Sequence, residues 1–303
     1  MSNYNIKTKN NIIKIVISLI LLLFLFKTVN FNLFIESILE INAIFILALI
    51  ILPFSIFLRA WRWKILINKD KAHVSYKEAY DLTLVGVALN IFLPASMGDV
   101  AKSYYGYKWH GLKEEMLSSS ILDKFLALLS IFIIGFFSSL WMGFYIYAII
   151  SLVLCILIGT LIFIPKIIPW SFISKIFKIF TKINLDHQKM NSFFLVSLNL
   201  KTKAVLISFL GWILSYIQFY LVCLSFNVDV NFLYVLSIAP IINLALIFPL
   251  TLNGLGSGDV VVVYLLGLAG ISGGTALAIS LFYSQFLTTL IPGFFGFIKI
   301  IRK

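Results

Sequence analysis

Charged residues are scarce in this sequence. They make up 12% of the 303 residues, against about 25% in a typical soluble domain. Hydrophobic residues make up 61%, and the mean hydropathy is +1.04. This composition excludes an ordinary soluble domain and predicts an integral membrane protein of the all-α polytopic class, whose spanning helices each need about 20 apolar residues.

Cysteine is almost absent as well. The two cysteines, Cys155 and Cys223, both fall within apolar runs and lack the spacing of metal ligands. They exclude a disulfide framework and are typical of small buried apolar side chains. We expect neither a metal site nor any other cofactor.

Six apolar runs are long enough to cross a bilayer as helices. The first is followed by no small-x-small cleavage pattern, so we interpret it as a membrane anchor rather than a signal peptide. The six predicted spans are residues 12–30, 41–60, 116–139, 143–164, 203–226 and 275–298.

Acidic residues are half as numerous as basic ones, 12 against 24, and the net charge is +12. With the six spans placed, 23 of the 24 basic residues fall on one side of the membrane, and only Lys27 falls on the other. The positive-inside rule then puts both termini in the cytoplasm, as expected for a multi-pass protein of the cytoplasmic (inner) membrane. This distribution disfavours nucleic acid as a partner and indicates contact with anionic lipid headgroups of the bilayer.

Two further apolar segments, residues 75–109 and 231–270, are each interrupted near the middle. If either crossed the membrane completely, clusters of lysines would move to the outer side. We therefore predict that both enter and leave on one side, as re-entrant broken-helix hairpins. Such a backbone survives at membrane depth only where it is buried in protein or lines a cavity.

The two interruptions resemble each other. Both run from an asparagine through an apolar stretch to a proline and then to Gly-Asp-Val, as "NIFLPASMGDV" at 90–100 and "NLALIFPLTLNGLGSGDV" at 243–260. We predict two inverted-topology repeats, residues 1–142 and 143–303, with an amphipathic linker at 165–202 in the second. Paired interrupted segments of this kind point to a transport site near the bilayer midplane.

The first interruption has the residues of an anion site. Pro94 cannot continue a helix, and Gly98 permits a tight turn. A helix that begins there presents free N–H groups at the positive end of its dipole, and such ends bind phosphate or carboxylate. Ser96 adds a hydroxyl, Lys102 adds a cation, and Asn90 opens the motif.

The glycines of the second interruption make it a flexible loop of backbone amides. An anionic headgroup is the natural ligand of such a loop. Its candidate site residues are Thr251, Asn253, Gly254, Gly256 and Gly258.

The two acids of the interruptions, Asp99 and Asp259, have three interpretations. Each could cap the helix that it begins, a position where aspartate is favoured. Each could carry a proton or another cation, because ionisable groups at membrane depth are functional by default. The third interpretation is an ion pair with Lys102 or Lys124.

Four segments of the chain together resemble a known family. They read "RAWRWKILI" (59–67), "NIFLPASMGDVAKSYY" (90–105), "LDKF" (122–125) and "FPLTLNGLGSGD" (248–259). In order and spacing they are similar to the flippase-type membrane region of lysylphosphatidylglycerol synthases and its stand-alone relatives. The resemblance covers roughly residues 50–300, and it implies an inner-membrane protein that translocates lipids or lipid-linked precursors.

The resemblance assigns Arg59 and Arg62 to the first motif, together with Trp63. Guanidinium groups suit bidentate phosphate capture; the alternative is ordinary anchoring at the membrane interface. In the third motif Asp123 and Lys124 stand where the family usually has Asp-Arg.

The second half departs from the family pattern at three positions. Asn253 replaces the first glycine of the last motif, Asp259 stands for the usual glutamate, and Gln285 stands where the late helix often has an arginine. The missing arginine removes a charge from the second half of the expected site.

We expect this protein to translocate an anionic phospholipid or a lipid-linked phosphate precursor, with proton coupling as one option for the two acids. The alternatives are a membrane-embedded transferase that acts on a polyprenyl or phospholipid acceptor, and a non-transporting accessory subunit. No nucleotide-binding loop or nucleophile-base motif is present, and no loop is long enough for a soluble catalytic domain, so we expect no enzyme.

Overall fold

The computed structural model describes residues 20–21, 23–25, 27–68, 73–93, 96–181, 183–247, 251 and 254–302. All regular structure within these residues is helical, which confirms the all-α class. The helices are α1 (Phe31–Leu39), α2 (Ile44–Ile67), α3 (Tyr76–Asn90), α4 (Gly98–His110), α5 (Lys113–Trp141), α6 (Tyr145–Phe163), α7 (Trp170–Thr181), α8 (His187–Phe194), α9 (Leu198–Ser225), α10 (Phe232–Ile247), α11 (Ser257–Leu268) and α12 (Gly273–Arg302), with a 3₁₀ turn at Pro165–Ile167.

Five of these helices, α2, α5, α6, α9 and α12, are long and apolar enough to cross a membrane. They coincide with five of the six predicted spans. The first predicted span, 12–30, lies mostly outside the described residues. The chain is therefore a multi-pass α-helical membrane protein.

The outward face of α6 shows why these helices need lipid around them. Ile146 is 74% exposed, Val153 is 58% exposed and Ile156 is 62% exposed. A contiguous apolar surface of this kind is rare on a soluble monomer. In a bilayer the same side chains contact hydrocarbon.

Both interrupted segments form a pair of helices with a break between them, as the sequence indicates. The first pair is α3 and α4, and Ser96 in its break has a φ of 51°. The second pair is α10 and α11; its break contains Gly254 and Gly256, with φ of 73° and 85°. Glycine tolerates this left-handed region without steric cost. Pro94 and Asn253 lie outside the described residues.

The two helices of the first pair touch at their backbones. A Cβ on Gly98 would overlap the carbonyl oxygen of Gly86 and would lie 2.5 Å from the amide nitrogen of Asn90. Only a residue without a side chain permits this approach. Gly98 therefore fixes the position of α4 against α3.

We expect Gly98→Ala to lower the free energy of unfolding by about 1–3 kcal/mol or more. The added Cβ would overlap backbone atoms, and these cannot move aside as a side chain can. The measurement is the thermal melting temperature of the detergent-purified protein. Gly159→Ala is the matched control, since nothing lies within 4 Å of a Cβ at that helical glycine. Equal melting temperatures for the two variants would contradict this account of the break.

The last helix packs against the first pair. A Cβ on Gly296 would overlap the carbonyl oxygen of Leu84, and one on Gly293 would lie 2.8 Å from the side chain of Ile91. Two glycines thus let α12 approach the backbone of α3 closely. This contact joins an element of the second half to the first interrupted segment.

Helix α7, which lies within the predicted linker 165–202, is amphipathic. Trp170 is buried, and Ile173 and Phe177 pack against the hydrophobic core. Lys175 and Lys178 are exposed. Its location on the membrane surface stays a prediction.

Candidate functional site

A cavity of about 220 Å³ lies between the helices. Its walls come from α2, α3, α4, α5, α9, α10, α11 and α12, so both interrupted segments reach it. Helices α2, α4 and α5 contribute all of its charged side chains. Helices α9, α10 and α12 contribute polar side chains without charge.

Asp99 joins two basic side chains in the cavity wall. One carboxylate oxygen lies 2.9 Å from Nη2 of Arg59, and the other lies 2.9 Å from Nζ of Lys124. The side chains of Arg59 and Lys124 are 35% and 22% exposed. These two cations are therefore accessible from the cavity while they neutralise Asp99.

Asp123 forms a second, more deeply buried group. It accepts two hydrogen bonds from Arg62, from Nε at 2.6 Å and from Nη2 at 3.2 Å, while Nζ of Lys102 lies 3.8 Å away. The third guanidinium nitrogen of Arg62 donates to Ser208 at 3.0 Å. The side chains of Arg62, Asp123 and Lys102 are at most 8% exposed.

These contacts show the surroundings of Arg62 and Trp63 in the basic motif on α2. Arg62 is buried in an ion pair, and Trp63 is fully buried with its indole nitrogen 3.1 Å from the Ser119 hydroxyl. Neither contact is that of a residue anchored at a membrane interface. Lys102 lies over the Trp63 ring, with Nζ 4.6 Å from the ring centre, so the tryptophan supports the buried cation.

The cavity wall carries more positive than negative charge. Among the described residues that line it, four basic side chains accompany two carboxylates, Asp99 and Asp123, which leaves a surplus of two positive charges. In an interior of low dielectric constant, such a surplus attracts an anion far more strongly than in water. Among the described residues, no group of three or more His, Cys, Asp or Glu side chains could hold a metal ion.

Three backbone N–H groups of glycines at the two interruptions have hydrogen-bond partners. The N–H of Gly98 donates to Oδ1 of Asn90 at 2.6 Å. The N–H of Gly256 donates to the Asp259 carboxylate at 2.8 Å, and that of Gly258 donates to the Gly254 carbonyl at 2.7 Å. The expectation of a free N–H group at Gly98 is therefore wrong.

The two acids have different surroundings. Asp99 forms an ion pair with Lys124, which is one of its three predicted interpretations, and a second ion pair with Arg59. Asp259 accepts from the Gly256 N–H and so caps its own helix. Its other carboxylate oxygen accepts from the Ser280 hydroxyl at 2.6 Å.

The structure gathers most of the predicted site residues around this one cavity. The predicted residues that line it are Arg59, Arg62, Asn90, Ser96, Asp99, Lys102, Asp123, Lys124 and Gly258.

The remaining described predictions do not line the cavity. Thr251 shares a hydrogen bond of 2.7 Å with Ser257, and Gly254 and Gly256 shape the second break. Asp259 does not line the cavity itself, but its hydrogen-bond partner Ser280 does. Gln285 does not line the cavity, and its side-chain nitrogen is buried without a hydrogen-bond partner among the described residues.

Sequence reasoning missed the polar side of the cavity on α12. Residues 281–290 of this helix form a π-helix, a rare form that occurs often at functional sites. Ser280, Ser284 and Thr288 line the cavity. Their four-residue spacing within an apolar span is a signal that could have identified them.

No curated protein and no solved structure matches this chain. A family described as the lysylphosphatidylglycerol synthase TM region matches residues 11–296. The match covers nearly the whole chain and confirms the resemblance found in the four short motifs. The chain therefore belongs to the family of lysylphosphatidylglycerol synthase TM regions.

Proposed function

We propose that this protein translocates an anionic phospholipid or a lipid-linked phosphate across the cytoplasmic membrane. The observation that carries the proposal is the positively charged cavity between membrane-spanning helices. Membership in a family whose members are associated with lipids supports it. Translocation requires no covalent step, and the cavity needs only to bind and release a headgroup.

The phosphate group is proposed to bind at Arg59 and Lys124. Both side chains are accessible from the cavity, and both are held in place by Asp99. A phosphate that enters can accept hydrogen bonds from the same guanidinium and ammonium groups, and charge-assisted bonds of this kind are the strong ones. Asp99 then competes with the substrate, so that binding is reversible, as transport requires.

The deeper ion pairs are proposed to hold the charged wall in shape. Arg62 and Lys102 are almost fully buried and are committed to Asp123. They add positive potential without being free to move. The cavity volume of about 220 Å³ is below the range of about 300–1,000 Å³ that is usual for pockets enclosing a whole ligand. This volume suits the headgroup of a lipid whose acyl or prenyl chains stay in the surrounding bilayer.

The proposed architecture has six spans and two re-entrant hairpins, arranged as inverted repeats 1–142 and 143–303 with both termini in the cytoplasm. The one-sided distribution of the basic residues supports this topology. The convergence of both interrupted segments on one cavity supports the repeat. Alternating access would follow from motion of one repeat against the other around the shared cavity.

A fluorescence assay in proteoliposomes tests the proposal. An anionic glycerophospholipid with a labelled acyl chain is incorporated in both leaflets, and an impermeant reductant quenches the label on the outside. We expect the inner-leaflet label to become accessible faster than in protein-free liposomes, and faster than for a zwitterionic lipid with the same label. Equal rates with and without protein would contradict the proposal.

A charge variant controls for effects outside the cavity. Lys178 is exposed on α7 and does not line the cavity. We expect Lys178→Gln to keep the wild-type rate, while Arg59→Gln slows translocation of the anionic lipid. If both variants slowed it equally, the effect would come from net charge rather than from the cavity.

A further inference from the structure

The second interrupted segment contains one carboxylic acid and no basic residue. Between Asp229 and Lys299 the chain has no Asp, Glu, Lys, Arg or His except Asp259. Asp259 is 1% exposed. Its partners are neutral: the Ser280 hydroxyl at 2.6 Å, the Gly256 N–H at 2.8 Å and, close by, the Ser284 hydroxyl.

The helices that pack against α11 bring no counter-charge to Asp259. Helix α10 has one titratable group, Tyr234, whose hydroxyl donates to the Leu265 carbonyl. In α12 the hydroxyl of Tyr283 donates to the Ser215 carbonyl at 3.1 Å. The basic residues of α12 are confined to its last turn, where Lys299 pairs with Asp81 of α3 at 2.9 Å. On α11 itself the other titratable group, Tyr264, is exposed.

The matching acid of the first segment is in the opposite situation. Asp99 has a basic group 2.9 Å from each of its oxygens. A carboxylate held in this way keeps its charge. An isolated carboxylate in an apolar interior is costly, and it is neutralised by a counterion or by a proton. For Asp259 the described residues offer no counterion.

We propose that Asp259 is a proton-binding site of the transport cycle and that Asp99 is not. This inference rests on the proposed function. Ser280 both contacts Asp259 and lines the cavity. Ser284 and Thr288 continue the row of cavity-lining hydroxyls along α12, so a proton can pass between the cavity and the carboxyl.

The position of Asp259 couples its protonation to the shape of the second break. As a carboxylate it accepts from both Ser280 and Gly256. A protonated carboxyl must donate through one of its oxygens, so one of these two contacts has to change. Gly256 lies in the break, and Gly258 beside it lines the cavity. Proton binding therefore acts on the wall where the substrate binds.

Chemical labelling tests the proton site without reference to transport. A hydrophobic carbodiimide adds to buried carboxyl groups that carry a proton and not to carboxylates. We expect an adduct at Asp259 by peptide mass spectrometry, more abundant at about pH 5 than at about pH 8, with Asp99 and Asp123 unlabelled. Labelling of Asp99 instead of Asp259, or no labelling of Asp259 across this range, would overturn the proposal.

Transport under a pH gradient tests the coupling. Asp259→Asn keeps an oxygen for the Gly256 N–H and an amide group for Ser280, but it cannot bind a proton. Asp229→Asn removes an exposed acid of the same half and is the matched control. We expect the wild type and Asp229→Asn to change their translocation rate when a pH gradient is applied, and Asp259→Asn to show no such change.

The outcomes separate the two proposals. The proton site would be overturned if the pH gradient did not change the wild-type translocation rate, or if it changed the rate of Asp259→Asn as well. Either result would leave the proposed translocation function uncontradicted. Absence of translocation in the wild type would overturn both, and the carbodiimide adduct would then report only that Asp259 binds a proton. If Asp259→Asn fails to insert, Ser280→Ala, which removes the hydroxyl donor and keeps the carboxyl, is expected to weaken the gradient response.

Discussion

Lys124→Gln is expected to slow translocation of an anionic lipid by about 10- to 100-fold. A hydrogen bond to a charged group contributes about 1.5–3 kcal/mol, and each 1.4 kcal/mol corresponds to about a factor of ten. Lys124 is accessible from the cavity and lies 2.9 Å from Asp99. The substitution removes one of the two cations proposed to contact phosphate. Of the two ion pairs of Asp99, the one with Arg59 then remains.

The glutamine is a natural choice for this position. In the predicted repeat, "LDKFLALLS" (122–130) aligns with "YSQFLTTLI" (283–291). This alignment makes Gln285 the predicted counterpart of Lys124. Lys124→Arg is the control, because it keeps the charge and restores the basic residue that the family usually has. We expect it to retain most of the wild-type rate in the liposome assay. If Lys124→Gln translocated the lipid at the wild-type rate, Lys124 would have no role in transport.

Asp123→Ala is expected to lower the free energy of unfolding by about 3–5 kcal/mol, the usual loss when one partner of a buried ion pair is removed. Asp123 accepts two hydrogen bonds from Arg62, and both side chains are at most 8% exposed. Without Asp123 the guanidinium and the nearby Lys102 ammonium would be buried with no carboxylate between them. The measurement is the denaturant midpoint of the detergent-solubilised protein.

Two further variants separate charge imbalance from lost packing. Asp229→Ala removes an exposed acid and should leave stability unchanged. In the double variant Arg62→Met with Asp123→Leu, apolar side chains replace the pair. Such replacements are often neutral or stabilising, so we expect stability to return while translocation does not. A double variant as unstable as Asp123→Ala would show that packing, and not the unpaired charge, causes the loss.

Much of the fold follows from hydrophobic pattern. A helix that must cross a bilayer needs a long apolar run, and this requirement identified α2, α5, α6, α9 and α12. The interruptions were visible because glycine and an acid are conspicuous within apolar sequence. Gly98 marks a true backbone contact, with Gly86 on the neighbouring helix.

The pairing of side chains could not be predicted in the same way. Arg62 and Asp123 lie 61 residues apart in sequence, and no local pattern says that they meet. The surroundings of Asp99 and Asp259 illustrate the point. Both acids follow a glycine and precede a valine, yet one forms ion pairs and the other caps its helix among neutral groups, because the helices around them differ in charge.

The π-helix at residues 281–290 was also beyond sequence reasoning. Its residues are ordinary for a spanning helix, and its altered winding depends on packing and on side-chain bonds such as that from Thr289 to the Ser284 carbonyl at 2.7 Å. The change in winding determines which hydroxyls line the cavity. The four-residue spacing of Ser280, Ser284 and Thr288 is visible in the sequence, but the altered winding that sets their positions in the cavity wall is not.

A density map of the protein, purified in nanodiscs of its native lipids, tests the central claim most directly. The claim is that the cavity between the two interrupted segments binds the anionic headgroup. We expect phosphate density within hydrogen-bond distance of Arg59 and Lys124, with the chains of that lipid leaving between helices. Acyl-chain density alone in the cavity, with every ordered headgroup outside it, would contradict the account.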